Sequence, residues 1–428
     1  MVGRASKGLD APIALQGYDC DIAVVGAGVI GTTTALELQA AGYDVMLIDR
    51  KGVAAECSFG NAGHLAVEHI FPLSSPATIA QVPRMLLAPN GPLSIRWQYL
   101  PKLMPWLLKF LWAGRPAQVA RGTKAISALN EQALTAYRSL DARFGLDGLL
   151  HEDGTLVVYE SDKGIEGAHK EQGALAEFGV ETEFLESTAL KDFDPALNPA
   201  LKGALRFPGS AHVGDPARLV RKLASHFVRL GGRIERQEVR TIEAEISRTI
   251  LATNTGRVRT RALVVASGAW SHHLARQLGY KAPLETERGY HLMLSEPTRS
   301  PRVPTTFAER RFVATPMEQG LRLAGRVELG GLQLPARDAQ ANALMPLGRD
   351  LLPGLDAAET SPWMGFRPTL PDSLPVIGEA PNHRNIYFAF GHNHMGLTHG
   401  AITAQLIREL IKGETPSVDL TPYWIGRF

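Results

Sequence analysis

The first residues that could do chemistry are three glycines near the N-terminus, Gly26, Gly28 and Gly31, spaced as Gly-x-Gly-x-x-Gly. Glycines at this spacing permit a tight turn and let the backbone approach a pyrophosphate, which the N-terminus of a following helix attracts. Asp49 lies 18 residues after Gly31, where its carboxylate can accept hydrogen bonds from a ribose hydroxyl pair. Together these residues predict a dinucleotide-binding site. A glycine turn that serves packing alone is the alternative.

The segments around the glycines have the pattern of a βαβ unit. Residues 21–25 form an apolar run typical of a buried parallel strand, 32–41 predict a helix that ends at Gly42, and 45–48 predict a second strand. Glycines set between a strand and a helix are more specific than glycines alone. The unit is compatible with FAD or NAD, and its position near the N-terminus favours FAD.

Further predicted elements follow along the chain. Helices are expected at about 126–144, 162–178, 216–230 and 398–411, and strands at 155–159, 262–266 and 385–390, with short strands between 284 and 334. Asp215 is the predicted N-cap of the third of these helices, and Pro216 is its first residue. A chain of 428 residues with these elements predicts two or three domains.

Composition excludes several classes of protein. The chain has 45 Lys and Arg against 43 Asp and Glu, a balance that argues against a nucleic-acid partner. Cys20 and Cys57 permit at most one disulfide, and neither a CxxC nor an HExxH motif supports a metal site. No window approaches 18 apolar residues without a charge, so no spanning helix is predicted.

Motifs distributed over the rest of the chain carry a family resemblance. They are Ala62-Gly63, Ser267-Gly268-Ala269-Trp270, Arg288-Gly289, Gly-Phe-Arg-Pro-Thr-Leu-Pro-Asp-Ser-Leu-Pro-Val-Ile-Gly at 365–378 and Gly-His-Asn-His-Met-Gly-Leu-Thr at 391–398. In this order, over residues 19–413, the chain resembles the family of FAD-dependent D-amino-acid oxidases, glycine oxidases and D-amino-acid dehydrogenases. Residues 287–291 and 391–398 are most similar to the bacterial dehydrogenase branch, including D-hydroxyproline dehydrogenases.

The resemblance implies an α/β fold with two domains. The first is a discontinuous Rossmann-like FAD-binding domain of residues 18–84, 215–283 and 361–428. The second is a mostly antiparallel β substrate domain of residues 85–214 and 284–360. FAD is expected to bind non-covalently, and attachment to Cys57 is the alternative. The residues expected to contact FAD are Gly26, Gly28, Ile30, Gly31, Asp49, Arg50, Ser58, Asn61, Ala62, Gly63, Val239, Ser267, Gly268, Trp270, Gly391, His392, Met395, Gly396, Leu397 and Thr398.

The resemblance also implies a substrate site. Arg367 matches the arginine that pairs with the substrate carboxylate, which a guanidinium fork binds through two hydrogen bonds. His64 is a candidate for substrate contact or proton relay, with a packed loop histidine as the alternative. Tyr290 and the adjacent His291 either line the site or pack within a strand. His394 stands where glycine oxidases tend to have an arginine. The resemblance therefore does not imply a second residue that binds the substrate carboxylate.

Two further expectations concern neighbouring segments. The oxidases place an active-site tyrosine on the strand occupied here by residues 312–316, which contain none, so the tyrosine role is absent or taken by Tyr290. The backbone N–H groups of 391–398, at the start of a helix, are expected to stabilise negative charge that develops on the flavin during reduction. Thr398 as the cap of that helix is the alternative, and the two are compatible.

Residues 83–124 form a basic aromatic segment. Between His69 and Asn130 the chain has no Asp or Glu, although it has seven Lys or Arg and three of the six Trp. Bulky apolar, aromatic and basic residues together are typical of a segment at a membrane interface. Substrate-domain helices packed on the body are the alternative, and Pro101 and Pro105 are expected to interrupt any long helix. Residues 1–17, which have no long apolar run, predict a loosely docked or disordered N-terminus rather than a signal peptide.

These observations predict an FAD-dependent dehydrogenase of amino-acid catabolism. It would oxidise a small D-amino acid or a proline-type secondary amine to the imine by hydride transfer to flavin N5 and pass the electrons to a membrane quinone or carrier. We expect it on the cytoplasmic side of the inner membrane, bound to an anionic surface, or else in the cytoplasm. The alternatives are a soluble oxidase that uses O2, an NAD-dependent dehydrogenase and a non-catalytic FAD-binding subunit. The sequence does not give the oligomeric state.

Overall fold

The computed structural model describes residues 17–88 and 91–428. The predicted loose N-terminus, residues 1–17, therefore lies outside the described residues except for Gly17. The strands are β1 (Cys20–Val25), β2 (Val45–Ile48), β3 (His64–Leu65), β4 (Leu93–Ile95), β5 (Leu150–His151), β6 (Thr155–Tyr159), β7 (Glu183–Glu186), β8 (Gly203–Phe207), β9 (Ala211–Val213), β10 (Arg233–Glu235), β11 (Val239–Ala244), β12 (Thr249–Thr253), β13 (Arg257–Val265), β14 (Glu285–Ser295), β15 (Thr305–Phe307), β16 (Phe312–Met317), β17 (Gly320–Leu329), β18 (Glu359–Thr369), β19 (Val376–Glu379) and β20 (Ile386–Phe390). The helices are α1 (Val29–Ala40), α2 (Pro76–Leu87), α3 (Leu100–Ala113), α4 (Pro116–Phe144), α5 (Asp162–Ala176), α6 (Ser187–Phe193), α7 (Pro216–Arg229), α8 (Ser271–Gln277), α9 (Asp338–Asn342), α10 (Leu344–Leu351) and α11 (Gly400–Lys412).

The first sheet of the described chain has β1 and β13 at its centre. Its order is β10-β2-β1-β13-β12-β11, with β20 pairing β13 and β19 pairing β20. The central pairs are parallel, and every residue of β1 is buried, because helices such as α1 and α11 cover the sheet. The predicted continuous apolar run at 21–25 is explained by this burial on both faces.

The second sheet is mostly antiparallel and contributes one wall of the site described below. Its order is β18-β14-β17-β16-β15-β6-β8-β7, and β4 pairs β17. β14 pairs β18 along its whole length, which sets Glu287 opposite Arg367 and Gly289 opposite Gly365. The predicted start of the last FAD-binding segment, residue 361, lies within β18, which belongs to this second sheet.

A small third sheet has the order β3-β9-β5. Its register brings three histidines together, because His64 of β3 and His151 of β5 both lie opposite His212 of β9. The rings of His151 and His212 stack with their centroids 4.7 Å apart. Three histidines that span 148 residues of sequence are thus neighbours in one small sheet.

The helices of the basic aromatic segment differ from the prediction. α3 runs for 14 residues through Pro105, so the expectation that Pro101 and Pro105 would interrupt a long helix was wrong. Pro101 lies in the first turn, where a missing N–H breaks no helical hydrogen bond. Beyond Pro105 the helix is held by packing, since Trp106 is buried and stacks on Phe110 at 5.1 Å. Within the described residues, no helix has both the length and the apolar composition needed to cross a bilayer.

Candidate active site

A cavity of about 940 Å³ is lined by residues of both large sheets and by the loops after β2 and β20. Most of the predicted site residues line it: Gly26, Gly28, Ile30, Asp49, Arg50, Ser58, Asn61, Ala62, His64, Val239, Ser267, Gly268, Trp270, Tyr290, Arg367, Gly391, His392, His394, Gly396 and Leu397. Gly31, Gly63, Met395 and Thr398 are not among the lining residues. The two groups of motifs, more than 300 residues apart in sequence, therefore meet at one cavity.

The glycine turn after β1 forms a cradle that larger residues would fill. Gly26 has φ +111°, and a Cβ there would lie 2.4 Å from the carbonyl oxygen of Ala266. A Cβ on Gly31 would lie 1.8 Å from the carbonyl oxygen of Gly26, so this glycine serves the close packing of α1 against the turn. Gly28 instead faces the cavity, where its nearest neighbour is the Ser58 hydroxyl. The turn thus fits the close approach of a pyrophosphate.

Asp49, at the end of β2, is fixed by backbone groups. Its Oδ2 accepts a hydrogen bond from the N–H of Ala27 at 2.9 Å, and its Oδ1 accepts from the N–H groups of Lys51 and Gly52 at 2.7 and 2.9 Å. A carboxylate has about four lone-pair sites, so the carboxylate that lines the cavity keeps capacity for hydroxyl donors. Arg50 lies over the Trp270 ring, 4.0 Å from its centroid. These side chains would hold the nucleotide end of FAD.

The loop after β20 contributes mainly backbone to the cavity. The buried His392 ring turns away, with Nε2 3.0 Å from the Thr403 hydroxyl of α11. The Thr398 hydroxyl accepts a hydrogen bond from the N–H of Ala66 at 3.1 Å, and α11 begins at Gly400 without a side-chain cap. The alternative role of Thr398, as the cap of this helix, is therefore wrong, because the hydroxyl ties the loop to the segment after β3.

Asn61 and Ala62 approach the cavity from the loop after β2. Asn61 Oδ1 accepts a hydrogen bond from the N–H of Gly63 at 2.8 Å, which closes a tight turn. Gly63 has φ +78°, and a Cβ there would lie 2.6 Å from the carbonyl oxygen of Val213. Gly63 therefore serves the packing of this turn against β9.

Arg367 of β18 lies at the same cavity, beside Gly289 of β14. A Cβ on Gly289 would lie 2.6 Å from Arg367 Cζ, so the glycine leaves the space that the guanidinium occupies. Among the residues that the structure describes, Arg367 has no ion-pair partner, although Glu287 lies opposite it in the sheet. Burial raises the pKa of Glu287, against the opposing charge of Arg367. The guanidinium is thus available to a ligand carboxylate.

A cluster of histidines and one carboxylate forms the adjoining wall. Glu68 is 4% exposed, and its Oε1 lies 2.9 Å from His64 Nε2 and 3.8 Å from His69 Nε2. The His69 ring stands edge-on to those of His64 and His394, with centroids 5.6 and 5.7 Å away. The sequence analysis named His64 and His394 but missed Glu68 and His69. The only signal for them was their position four and five residues after His64.

Tyr290 and His291 are both committed to internal contacts. The Tyr290 hydroxyl donates to Glu328 Oε1 at 3.0 Å and accepts from the N–H of Arg337 at 3.2 Å. The buried His291 has Nδ1 3.0 Å from the carbonyl oxygen of Gly60, and burial lowers its pKa to about 3. These contacts favour the packing alternative for both side chains, although Tyr290 and His291 border the cavity.

The two cysteines and the histidine cluster are the groups that could bind a flavin covalently or hold a metal. Cys20 and Cys57 are free thiols, and burial raises the pKa of Cys57, which lines the cavity, to about 12. Over residues 17–88 and 91–428, no group of three or more His, Cys, Asp or Glu side chains is arranged to hold a metal ion. The histidine cluster is thus an arrangement of imidazoles around one carboxylate.

The parallel sheet with its glycine cradle, and the antiparallel sheet that brings an arginine to the same cavity, define a flavin-dependent oxidoreductase. The chain belongs to the family of FAD dependent oxidoreductases, whose model matches residues 21–410. FAD rather than NAD is its cofactor. The fold and the family resemblance expected from the sequence are confirmed.

Individual relatives carry more specific names. The chain is 33% identical to a D-amino-acid oxidase of Bradyrhizobium diazoefficiens, over 95% of this chain and 98% of that protein. It is 31% identical to a D-amino acid dehydrogenase of Dechloromonas aromatica, over 92% of this chain and 97% of that protein. The fold is similar to the crystal structure of glycine oxidase from Geobacillus kaustophilus, with a TM-score of 0.73, 23% identity and coverage of 96% and 99%.

Proposed function

We propose that this protein is an FAD-dependent dehydrogenase of small amino acids, either D-amino acids or proline- and hydroxyproline-type secondary amines, which it oxidises to the imine. The observation that carries the proposal is the position of Arg367, whose guanidinium has no ion-pair partner among the described residues and borders the cavity that the glycine turn also borders. The names of relatives, which include D-amino acid dehydrogenases, support an amino-acid substrate.

Different residues of the chain would bind the substrate and the cofactor. Arg367 binds the substrate carboxylate through its two parallel N–H groups and so fixes the α-carbon in the cavity. When bound, FAD supplies the acceptor for the hydride that leaves this carbon. The glycine turn, Asp49, Arg50 and the backbone of 391–397 would hold the cofactor, non-covalently. Residues of both large sheets contribute walls to this cavity.

The experiment that tests this function is anaerobic bleaching of the bound flavin. Purified holoenzyme would be mixed with D- and L-amino acids, sarcosine and the hydroxyproline isomers, and the flavin absorbance followed without oxygen. We expect at least one D-amino acid or secondary amine to bleach the flavin completely. If none of these compounds does so, the chain is instead a non-catalytic FAD-binding subunit.

The electron acceptor is the second part of the proposal, and an oxidase that uses O2 is the competing function because one relative is named an oxidase. We propose a membrane quinone or carrier. Turnover with a soluble quinone is expected to exceed peroxide formation in air by at least tenfold, an order-of-magnitude margin that corresponds to about 1.4 kcal/mol of barrier. Peroxide formation at the rate of quinone reduction would replace the dehydrogenase assignment by the oxidase.

The exposed surface of α2, α3 and residues 91–99 supports the membrane acceptor. We call it the basic aromatic face; its exposed apolar residues are Leu87, Trp97, Met104, Leu108, Leu111 and Trp112. Lys102, Lys109 and Arg115 are exposed beside them, and residues 69–130 have no acid. Apolar side chains that are 42–83% exposed, in a segment with exposed cations and no acid, match an anionic bilayer surface in both polarity and charge.

Binding to vesicles tests this face. The triple variant Lys102→Glu, Lys109→Glu, Arg115→Glu is expected to bind phosphatidylglycerol vesicles about 10²-fold more weakly, since each cation contributes about 1 kcal/mol near an anionic leaflet. The matched control reverses three exposed lysines elsewhere, Lys163, Lys170 and Lys191, and should bind as the unchanged protein does. Equal binding of both triple variants would rule out the basic aromatic face as the membrane contact.

A further inference from the structure

Glu68 is an almost completely buried carboxylate that the proposed function does not yet use. Its Oε2 accepts a hydrogen bond from Ser210 Oγ at 2.6 Å, and its Oε1 accepts one from Thr155 Oγ1 at 3.5 Å. Burial disfavours its charge, but the charge and hydrogen bond of His64, with smaller contributions from His69 and Ser210, hold the pKa of Glu68 below its usual range. The carboxylate is therefore ionised and rigidly held.

His69 connects this carboxylate to the cavity. Its Nε2 lies on the side of Glu68, and its side chain is 41% exposed towards the cavity that it lines together with Arg367. The carbonyl oxygen of His69 accepts a hydrogen bond from Asn130 Nδ2 at 3.3 Å, which anchors the backbone at this point. An imidazole backed by a fixed carboxylate on one side and open to a ligand on the other has the geometry of a proton acceptor.

The proposed oxidation requires that the substrate nitrogen lose a proton. An amino acid enters as a zwitterion, and an ammonium nitrogen has no lone pair to form the C=N bond as the hydride leaves. One N–H bond must therefore break, its electron pair staying on nitrogen and its proton passing to a base. Arg367 cannot serve, because a guanidinium remains protonated in proteins.

We propose that His69 takes the ammonium proton of the bound substrate and that Glu68 is the positioning residue that stabilises the resulting imidazolium. This inference rests on the proposed amino-acid dehydrogenase function. The proton forms an N–H bond on the His69 imidazole, and the negative charge of Glu68 balances the new positive charge. His64, which shares Oε1 with His69, keeps the carboxylate in place and is not itself the acceptor.

The charges around the cluster agree with this assignment. Burial lowers the pKa of His69, against the charge of Glu68, so His69 is neutral and ready to accept a proton at pH 7. Burial and the charges of His69 and Arg367 lower the pKa of His394 further, which makes His394 the weaker base. The other titratable groups that face the cluster are Glu171 of α5, His212 of β9, His151 of β5 and His399 before α11.

Flavin reduction at saturating substrate, followed by anaerobic stopped flow between pH 6 and 10, tests the inference. In the unchanged enzyme the rate constant should be nearly constant from pH 7 to 10. His69→Asn should lose about 10²–10³-fold at pH 7, the range typical of general acid–base catalysis, and recover to within about tenfold at pH 10. The recovery follows because at high pH the substrate arrives with its amine already neutral.

Two further variants sharpen the result. Glu68→Gln removes the charge but keeps the shape, and should show the same pH dependence with a smaller loss, about tenfold at pH 7. His169→Asn changes an exposed histidine on α5 and should leave the pH profile as it is. If His69→Asn follows the unchanged enzyme at every pH, the inference fails while the dehydrogenase function stands. If no amino acid reduces the flavin of the unchanged enzyme, the proposed function itself fails.

A readout that does not depend on turnover is the protonation state of His69. The holoenzyme labelled with ¹³C-histidine would be titrated at pH 7 with 2-aminoisobutyrate, which has an ammonium group but no α-hydrogen. We expect one imidazole resonance, the one missing from His69→Asn, to move to the imidazolium position, and we expect no such shift with isobutyrate. A resonance that stays neutral with both compounds would overturn the assignment.

Discussion

The two ends of the cavity are built in different ways. The nucleotide end, as proposed, is built mainly on the segment from Gly26 to Arg50, joined by the distant Trp270, and it relies on backbone atoms and on space left by glycine. The reacting end, as proposed, consists of side chains that line the same cavity, with Arg367 from β18, His394 from the loop after β20 and His69 from the turn after β3. A cofactor common to a family can thus be held by local geometry, whereas substrate chemistry depends on side chains that only the tertiary fold assembles.

This contrast predicts that the nucleotide end is the more sensitive to a single added carbon. In Gly31→Ala the new Cβ would lie 1.8 Å from the carbonyl oxygen of Gly26, and backbone atoms cannot move aside as a side chain can. We expect the purified variant to contain less than about a tenth of the normal flavin, because the cradle is displaced by this overpacking. The ratio of flavin to protein absorbance measures the effect.

The matched control for this variant is Gly167→Ala. Gly167 lies in α5 with no atom within 4 Å of its ideal Cβ, so the same substitution should leave flavin content unchanged. Circular dichroism distinguishes an unfolded Gly31→Ala from a folded one that lacks flavin. A folded Gly31→Ala with full flavin would contradict the view that this end depends on backbone space.

Arg367→Ala should affect the reacting end alone. Charge-assisted hydrogen bonds contribute roughly 1.5–3 kcal/mol each, so the loss of a bidentate pair is expected to lower kcat/KM by about 10²–10⁴-fold. Flavin content should remain normal, in contrast to Gly31→Ala. Steady-state kinetics with the best substrate, together with the absorbance ratio, separates the two effects.

The control for Arg367 is the conservative substitution to lysine. A lysine keeps the charge but not the planar fork, so Arg367→Lys should fall between Arg367→Ala and the unchanged enzyme. Unaltered kinetics in Arg367→Ala would remove the arginine from the site. A simultaneous loss of flavin would mean that the two ends are not independent.

The same contrast explains what the sequence could predict. The βαβ unit was recognisable because its strands, its glycines and Asp49 lie within one 30-residue stretch whose periodicity and turn chemistry are local. Arg367 was found only through the family motif around it. Both predictions concern residues whose immediate neighbours in sequence carry the signal.

The features that could not be predicted from the sequence depend on contacts between distant segments of the chain. Glu68 is fixed by Ser210 and Thr155, residues 142 and 87 positions away, and nothing in the local sequence indicates these hydrogen bonds. The continuation of α3 through Pro105 likewise depends on the packing of Trp106, and tertiary packing overrides the local preference of proline to end a helix. The alternative that Thr398 caps α11 was wrong for the same reason, since its hydroxyl accepts a hydrogen bond from the backbone of Ala66.

Tyr290→Phe is the variant with the smallest expected effect. It tests whether Tyr290 belongs to the reacting end of the cavity. The Tyr290 hydroxyl belongs to a buried ion cluster, because Glu328 also pairs with the fully buried Arg288 at 2.6 Å. Removing it should cost about 1–2 kcal/mol of folding free energy, and lower the midpoint of thermal unfolding by a few degrees, because one hydrogen bond to a charged group is lost. Since the hydroxyl is directed at Glu328 rather than at a ligand, kcat/KM should stay within about threefold of the unchanged enzyme, far below the loss expected for Arg367→Ala. Phe307→Leu, in the buried core of the second sheet and not among the residues that line the cavity, provides a control that lowers stability without touching this cluster. A loss of kcat/KM above about 30-fold in Tyr290→Phe, with the control unaffected, would show that the tyrosine acts on the substrate and would extend the reacting end to β14.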